Sequence, residues 1–178
     1  EKNKAILFWS ASGFTVRLKG SEIWALVECS FSTYEIWCCI EVNGRIISRT
    51  MLSKGKNWMC LMRGYPANAI NTITFYRDSQ PMPADLEQSL IIHQLAIKNS
   101  SQFHPVSDKQ LRIEFIGDSI TSGEGLAGAP SEKNWMSAWI SSSDTYAVQT
   151  ARILDADFQI ISQCGWGVIT SWNNNPND

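Results

Sequence analysis

The sequence lacks the features that mark several large classes of protein. No apolar run approaches the about 18 residues of a membrane-spanning helix, so we predict no membrane span. The formal net charge is -2 and the basic residues form no stripe, which gives nucleic-acid binding no electrostatic support. No pair of Cys-x-x-Cys motifs of the zinc-binding kind occurs, and we predict neither a metal nor a cofactor.

Histidine is scarce and cysteine is odd in number. Only His93 and His104 occur in the 178 residues. The five cysteines are irregularly spaced, a pattern typical of buried free thiols with room for one disulfide at most. Cysteine usage therefore does not indicate the redox compartment.

The first hundred residues have the pattern of strands. Short apolar or alternating runs of strand length recur between Gly, Asn and Ser breakers, and no useful helical period is present. The dipeptide Asn43-Gly44 favours a type I′ hairpin turn. About seven such strands predict a β-sandwich; they are placed at 14–19, 23–29, 36–42, 45–50, 58–63, 72–77 and 90–97.

The pattern changes after residue 99. Residues 99–110 are polar with one proline, and we interpret them as a linker between a domain of residues 1–104 and one of residues 111–178. Strand 111–116 is followed by a glycine-bearing turn, a long loop, a helix capped by Ser143 or Asp144 and running to about residue 154, and strand 158–162. This unit predicts a parallel strand pair with a right-handed crossover. One such unit cannot bury both faces of a parallel sheet, so we expect this domain to be incomplete.

Two turns at the predicted sheet edge have the composition of a hydrolytic site. Ser119 follows strand 111–116 inside a tight Gly117-Asp118-Ser119 turn, where open α/β sheets place their sites. A serine hydroxyl becomes a nucleophile when a base lies beside it. The second turn, Gln163-Cys-Gly-Trp-Gly167, follows the next strand, and one of its glycine N–H groups can stabilise an oxyanion.

These two segments resemble the SGNH (GDSL) hydrolase superfamily, and most closely carbohydrate esterase family 2. Residues 111–125, from Leu-Arg-Ile-Glu-Phe-Ile-Gly-Asp-Ser onward, are similar to its nucleophile block, and residues 161–168 to its oxyanion block. Residues 8–14, 42–45 and 146–154 also resemble that family. The resemblance implies a jelly-roll-like β-sandwich followed by the first part of an α/β SGNH domain with a parallel sheet.

The resemblance also implies roles for individual residues. Ser119 would be the nucleophile, its own N–H and that of Gly165 the oxyanion donors, and Gly117 and Asp118 structural residues of the turn. The activity would be hydrolysis of O-acetyl groups on a polysaccharide such as acetyl-xylan, by a secreted or cell-envelope bacterial protein, with a cytoplasmic location left open.

Two parts of that family's site have no clear counterpart here. Its Asn-Asp block is matched only superficially by Asn177-Asp178, and its late histidine is absent, because His93 and His104 both precede Ser119. We therefore expect the base to come from a C-terminal remainder of the same domain, possibly on a separate chain.

The sequence contains eight tryptophans, and two of them bear on the nature of the substrate. The four in the first half are expected to pack in the core or at interfaces, whereas Trp166 and Trp172 flank the predicted site and could stack on a sugar ring. The alternatives are packing of Trp166 between the domains, a generic GDSL lipase or thioesterase with another acyl chain, and a non-catalytic carbohydrate-binding protein.

Overall fold

The computed structural model describes residues 4–172. Its first part contains two antiparallel sheets. One has four strands in the order β1 (Ala5–Ile6), β8 (Ser89–Ile97), β3 (Glu22–Ser30) and β6 (Gly55–Arg63). The other has five, in the order β5 (Arg45–Met51), β4 (Trp37–Val42), β7 (Ile70–Arg77), β2 (Gly13–Lys19) and β9 (Gln102–His104).

The two sheets share one hydrophobic core. Along β3, every second residue from Ile23 to Cys29 is buried, as the two-residue period of a strand requires. Leu18 and Phe75 of the five-stranded sheet pack in the same cluster. Each fully buried side chain of this size contributes about 1.5–3 kcal/mol to folding. The arrangement is consistent with the predicted β-sandwich, and residues 5–104 are called the sandwich below.

All seven predicted strands are present, and the structure adds β1 and β9. Asn43 and Gly44 have φ angles of 53° and 77° and connect the paired residues Val42 and Arg45. A two-residue turn with both φ values positive is the predicted type I′ turn.

The second part of the chain forms a small α/β unit. Strands β10 (Leu111–Gly117) and β11 (Ala156–Ser162) pair in parallel, with Leu111 opposite Ala156 and Gly117 opposite Ser162. Between them lie helix α1 (Ser119–Ser122), two 3₁₀ turns (Ser137–Trp139 and Ser142–Asp144) and helix α2 (Tyr146–Ile153). None of the helices in residues 4–172 is long and apolar enough to cross a membrane.

Two details of the sequence prediction were wrong. The polar segment 99–110 is not wholly a linker, because β9 lies within it and pairs with β2 through Arg17 and His104. The cap of α2 is Thr145, whose hydroxyl accepts the N–H of Val148, rather than Ser143 or Asp144. The main-chain N–H of Ser143 instead binds Asp78 of the sandwich, a partner 65 residues away.

Candidate active site

Ser119 is the first residue of α1, directly beyond the end of β10. The carboxylate of Asp118 caps this helix by accepting the N–H of Ile120 at 3.0 Å. At the other end, the N–H groups of Gly123 and Glu124 donate to the carbonyl of Ser119 at 3.0 and 2.9 Å. This four-residue helix is therefore closed at both ends, and the half-buried Ser119 has a defined main-chain position.

Gly117 allows α1 to lie close to the end of β10. A Cβ atom built on Gly117 would lie 2.0 Å from the hydroxyl oxygen of Thr121, so any larger residue would displace the helix. The Thr121 hydroxyl bonds that of Tyr146 at 2.9 Å, and the Ser122 hydroxyl bonds that of Ser162 at 2.8 Å. These contacts join α1 to α2 and to the end of β11, as expected for a structural role of Gly117.

The turn after β11 lies beside the turn that carries Ser119. Because Gly117 is opposite Ser162 in a parallel pair, the chain leaves both strands at the same sheet edge, and the N–H of Gln163 donates to the Gly117 carbonyl at 3.3 Å. Gly165 has a φ of 84° and lies outside the strand ladder. Within residues 4–172, neither the N–H of Ser119 nor that of Gly165 donates a hydrogen bond to another group. Both N–H groups are thus free to meet an oxyanion, as the proposed roles require.

Two residues of the sandwich reach this site, and the sequence analysis did not find them. The fully buried Gln80 accepts the N–H of Cys164 on its side-chain oxygen at 2.8 Å. The fully buried Asp78 accepts Arg49 Nε at 2.6 Å and the N–H of Ser143 at 2.9 Å. No local pattern marks these residues, because their partners in the α/β unit are more than 60 residues away in sequence.

Burial controls the chemistry of Cys164, in the turn after β11. Removal from water, and then a hydrogen bond and charge repulsion from Glu124, raise the pKa of the Cys164 thiol well above its usual range. The thiol therefore stays protonated at neutral pH and is a poor nucleophile. All five cysteines are free, so the one disulfide that the sequence left room for is not formed.

The two proposed substrate-binding tryptophans have different surroundings. Trp166 is 39% exposed and meets Trp9 of the sandwich edge-on, with ring centroids 6.4 Å apart. Trp172 is 83% exposed, and its main-chain N–H donates to the Gly165 carbonyl at 2.8 Å. The Trp172 side chain therefore offers a large open aromatic face beside the turn after β11, and Trp166 also joins the sandwich to the site.

A small cleft lies just beyond the end of α1. Its volume is about 160 Å³, and Glu124, Trp135 and Trp139 are among the residues that line it. Trp135 is partly exposed and packs edge-on against Tyr34 of the sandwich, at 5.3 Å between ring centroids. This cleft gives the site a shallow aromatic side.

The structure brings no histidine to Ser119. His93 lies on β8 and bonds the Glu28 carboxylate on β3 at 2.5 Å. His104 lies on β9 beside Arg17, with its Nε2 buried and unpaired among the described residues. Both are on the antiparallel sheets, and no hydrogen bond joins either to Ser119. Asn177, the weak candidate for a further oxyanion donor, lies outside the described residues, as does Asp178.

Across residues 4–172, no three His, Cys, Asp or Glu side chains lie close enough together to hold a metal ion.

Comparison with known proteins gives a consistent result. No protein-family model matches the chain. A curated relative, acetylxylan esterase / glucomannan deacetylase of Cellvibrio japonicus (strain Ueda107), is 27% identical over 161 residues, which cover 78% of this chain and 43% of that protein.

Solved structures agree with that relationship. An acetyl xylan esterase (Est2A) from the rumen bacterium Butyrivibrio proteoclasticus has a TM-score of 0.89 and 33% identity, covering 99% of this chain and 50% of the other. A family two carbohydrate esterase from Clostridium thermocellum, solved with cellohexaose, has a TM-score of 0.86 and 21% identity, covering 99% and 52%. The resemblance to carbohydrate esterase family 2 is confirmed, and the chain spans about half the length of the relatives it matches.

Proposed function

We propose that this protein is a serine esterase that removes O-acetyl groups from a carbohydrate, acetyl-xylan or a related acetylated polysaccharide. The observation that carries the proposal is the position of Ser119 at the start of α1, at the same sheet edge as the turn that holds Gly165, whose N–H is unpaired among residues 4–172. The names of its relatives, acetylxylan esterase and glucomannan deacetylase, support the same substrate class.

The reaction would proceed in two steps. Ser119 Oγ attacks the acetyl carbonyl carbon while a base takes its proton, and the N–H groups of Ser119 and Gly165 stabilise the tetrahedral oxyanion. The ester bond to the sugar then breaks, the sugar oxygen receives the proton, and an acetyl-Ser119 remains. Water attacks this ester in the same way and releases acetate. The chemistry needs no cofactor.

The described residues supply only part of this machinery. We propose that the base and an asparagine donor come from further polypeptide of the same hydrolase domain, in this chain or in a separate one. The division into residues 1–104 and 111–178, and a jelly-roll connectivity for the sandwich, belong to the same proposal. A polymeric substrate also favours action outside the cytoplasm, in a secreted or cell-envelope protein.

The test is an assay of the complete natural protein on acetylated xylo-oligosaccharides, with release of acetate as the readout. Turnover should be lost in Ser119→Ala, and the enzyme should prefer acetyl over butyryl or longer esters. A preference for long acyl chains would favour a GDSL lipase or thioesterase instead. Glycan binding without hydrolysis, equal in wild type and Ser119→Ala, would favour a non-catalytic binding protein.

A further inference from the structure

The side chain of Gln80 belongs to the sandwich but ends at residues 163–167, which we call the oxyanion turn. It is fully buried, and its Oε1 accepts the N–H of Cys164 at 2.8 Å. On the other side of the amide, Nε2 lies 3.7 Å from the sulfur of Met82. A hydrogen bond in such a dry environment meets no competition from water, so it fixes the main chain at Cys164.

Cys164 immediately precedes the proposed oxyanion donor. The Gln80 bond holds the peptide group between Gln163 and Cys164. The N–H of Gly165 lies in the next planar peptide, so only the φ and ψ of Cys164 separate its direction from the held group. The other side of Gly165 is also held, because its carbonyl accepts the N–H of Trp172 at 2.8 Å. The one N–H left unpaired between these two anchors is that of Gly165.

Gln80 is itself held rigidly from within the sandwich. The fully buried Arg77 donates from Nε to the Ser79 carbonyl and from Nη2 to the Gln80 carbonyl, each at 2.7 Å. Arg77 also donates to the side-chain oxygen of Gln88. The segment that carries Gln80 is therefore fastened to a charged group that is enclosed by the sandwich.

Asp78, two residues before Gln80, contacts the 3₁₀ turn Ser142–Asp144, which lies close to the end of α1. Asp78 accepts the N–H of Ser143, and its own carbonyl accepts the N–H of Ser142 at 3.0 Å. In the adjoining residue, the N–H of Ser141 donates to the carbonyl of Gly123, where α1 ends, at 3.0 Å. Residues 78 and 80 thus contact the two loops that place the Ser119 and Gly165 N–H groups.

We propose that Gln80 is a positioning residue for the oxyanion hole, so that the sandwich sets the geometry of the hydrolytic site. Its amide aligns the N–H of Gly165 with that of Ser119 by fixing Cys164, and it does not touch the substrate. This inference rests on the proposed function, because it gives a role in the esterase reaction to a residue outside the α/β unit.

The test compares three variants of the complete natural protein with 4-nitrophenyl acetate as substrate. Gln80→Met removes the acceptor at similar length, Gln80→Asn withdraws it by one methylene, and Gln80→Glu keeps an oxygen in place. We expect kcat to fall roughly tenfold or more in the first two, below the 10²–10³ typical for removing a donor outright, with KM changed less than about twofold. Gln80→Glu should recover part of the loss.

Inhibition by a boronic acid distinguishes a change in the geometry of the oxyanion hole from a general loss of folded protein. A boronic acid forms a tetrahedral adduct with Ser119 and presents an oxygen to the oxyanion hole. We expect its inhibition constant to rise by the same factor as kcat/KM falls in Gln80→Met and Gln80→Asn. A variant that is merely less well folded has fewer active molecules, which lowers apparent kcat and leaves the inhibition constant unchanged.

Tyr76→Phe is the matched control. It removes a hydrogen bond of 2.8 Å from the buried Tyr76 hydroxyl to Glu41, on the same strand that leads to Gln80 but away from the oxyanion turn. It should reduce stability without changing the inhibition constant.

The inference is overturned if folded Gln80→Met or Gln80→Asn keeps wild-type kcat, or loses kcat with an unchanged inhibition constant. Those results require an active wild type, so they are distinct from failure of the esterase function, which would appear as wild-type turnover no higher than that of Ser119→Ala.

Discussion

The indole of Trp172 occupies the space that a side chain at position 165 would need. A Cβ atom built on Gly165 would lie 2.3 Å from Cδ1 of Trp172, and the φ of Gly165 is 84°. Position 165 therefore requires glycine for two reasons: the indole of Trp172 leaves no room for a Cβ atom, and the main-chain conformation is left-handed.

Gly165→Ala should consequently lower kcat by about 10²–10³, because the turn must shift and the N–H no longer meets the oxyanion. Steady-state kinetics with 4-nitrophenyl acetate measures this. Gly44→Ala is the matched control, since Gly44 has a similar φ of 77° but no atom within 4 Å of its added Cβ. It should cost about 1–2 kcal/mol of stability and no kcat. Equal kinetics for the two variants would remove Gly165 from the oxyanion hole.

Asp118 is predicted to act through the helix cap and not as a catalytic acid. Asparagine also caps helices well, so Asp118→Asn should retain most of the activity. Asp118→Ala loses the acceptor for the Ile120 N–H and should destabilise the protein by about 1 kcal/mol, with a modest loss of kcat. Urea unfolding and kinetics on the pair check this. A loss of turnover in Asp118→Asn as large as in Ser119→Ala would mean that the charge itself is required.

Alanine substitutions of Trp166 and Trp172 should affect KM and stability differently. Trp172→Ala should raise KM for an acetylated xylo-oligosaccharide roughly 2- to 10-fold, if stacking on a sugar resembles other aromatic contacts in strength. Trp166→Ala should raise KM less and also lower the unfolding temperature, because it loses the contact with Trp9. Unchanged KM in both variants would leave packing as the sole role of these residues.

Asp85 should make stability depend on pH in the acid range. Burial alone would raise its pKa, but hydrogen bonds from the main chain of Tyr34, Ser32 and Thr33 outweigh that effect and hold the pKa well below its usual range. A depressed pKa in the folded state stabilises the fold above the unfolded value of about 4, and this contribution is lost as the pH falls through the folded value.

We therefore expect Asp85→Asn to be less stable than wild type at pH 7 by roughly 1–3 kcal/mol, with the difference shrinking as the pH falls below about 4. Urea unfolding at a series of pH values provides the measurement. The exposed Asp108 supplies the control, and Asp108→Asn should be neutral at each pH. A pH-independent difference for Asp85→Asn would show that the carboxylate charge does not matter.

A polypeptide of these 178 residues alone should show little esterase activity. The serine hydroxyl is almost fully protonated at neutral pH, and neither His93 nor His104 lies at its sheet edge. Purified residues 1–178 can be assayed with 4-nitrophenyl acetate against the complete natural protein. Full activity that Ser119→Ala abolishes would place the base within this polypeptide.

Local sequence patterns were sufficient for the strands and for the nucleophile turn. Alternation along β3 and the Asn43-Gly44 pair depend on neighbours in sequence, and so does the entry of β10 into the Gly117 turn. Local patterns failed where distant partners decide. Ser143 is a residue type that often caps helices, but its N–H binds Asp78, and the helix begins at Tyr146 with Thr145 as its cap.

The same limit applies to the site. The sequence indicated Ser119, Gly165 and the two tryptophans because they lie in or beside recognisable turns. It gave no sign of Asp78 or Gln80, because a polar run after a strand is typical of any surface loop. Both residues are fully buried, and their partners Ser143 and Cys164 belong to the α/β unit.

The fixed position of residues 78–80 has a consequence for how the molecule is made. The main hydrophobic core draws its buried residues from Leu7 to Ile92, so all of them are synthesised before the α/β unit begins at Leu111. A ribosome synthesises the N-terminal part first, and domains generally fold as units during synthesis. Asp78 and Gln80 would then already be in place when Ser143 and Cys164 emerge. The folded sandwich would thus provide the contacts that order the two segments around Ser143 and Cys164.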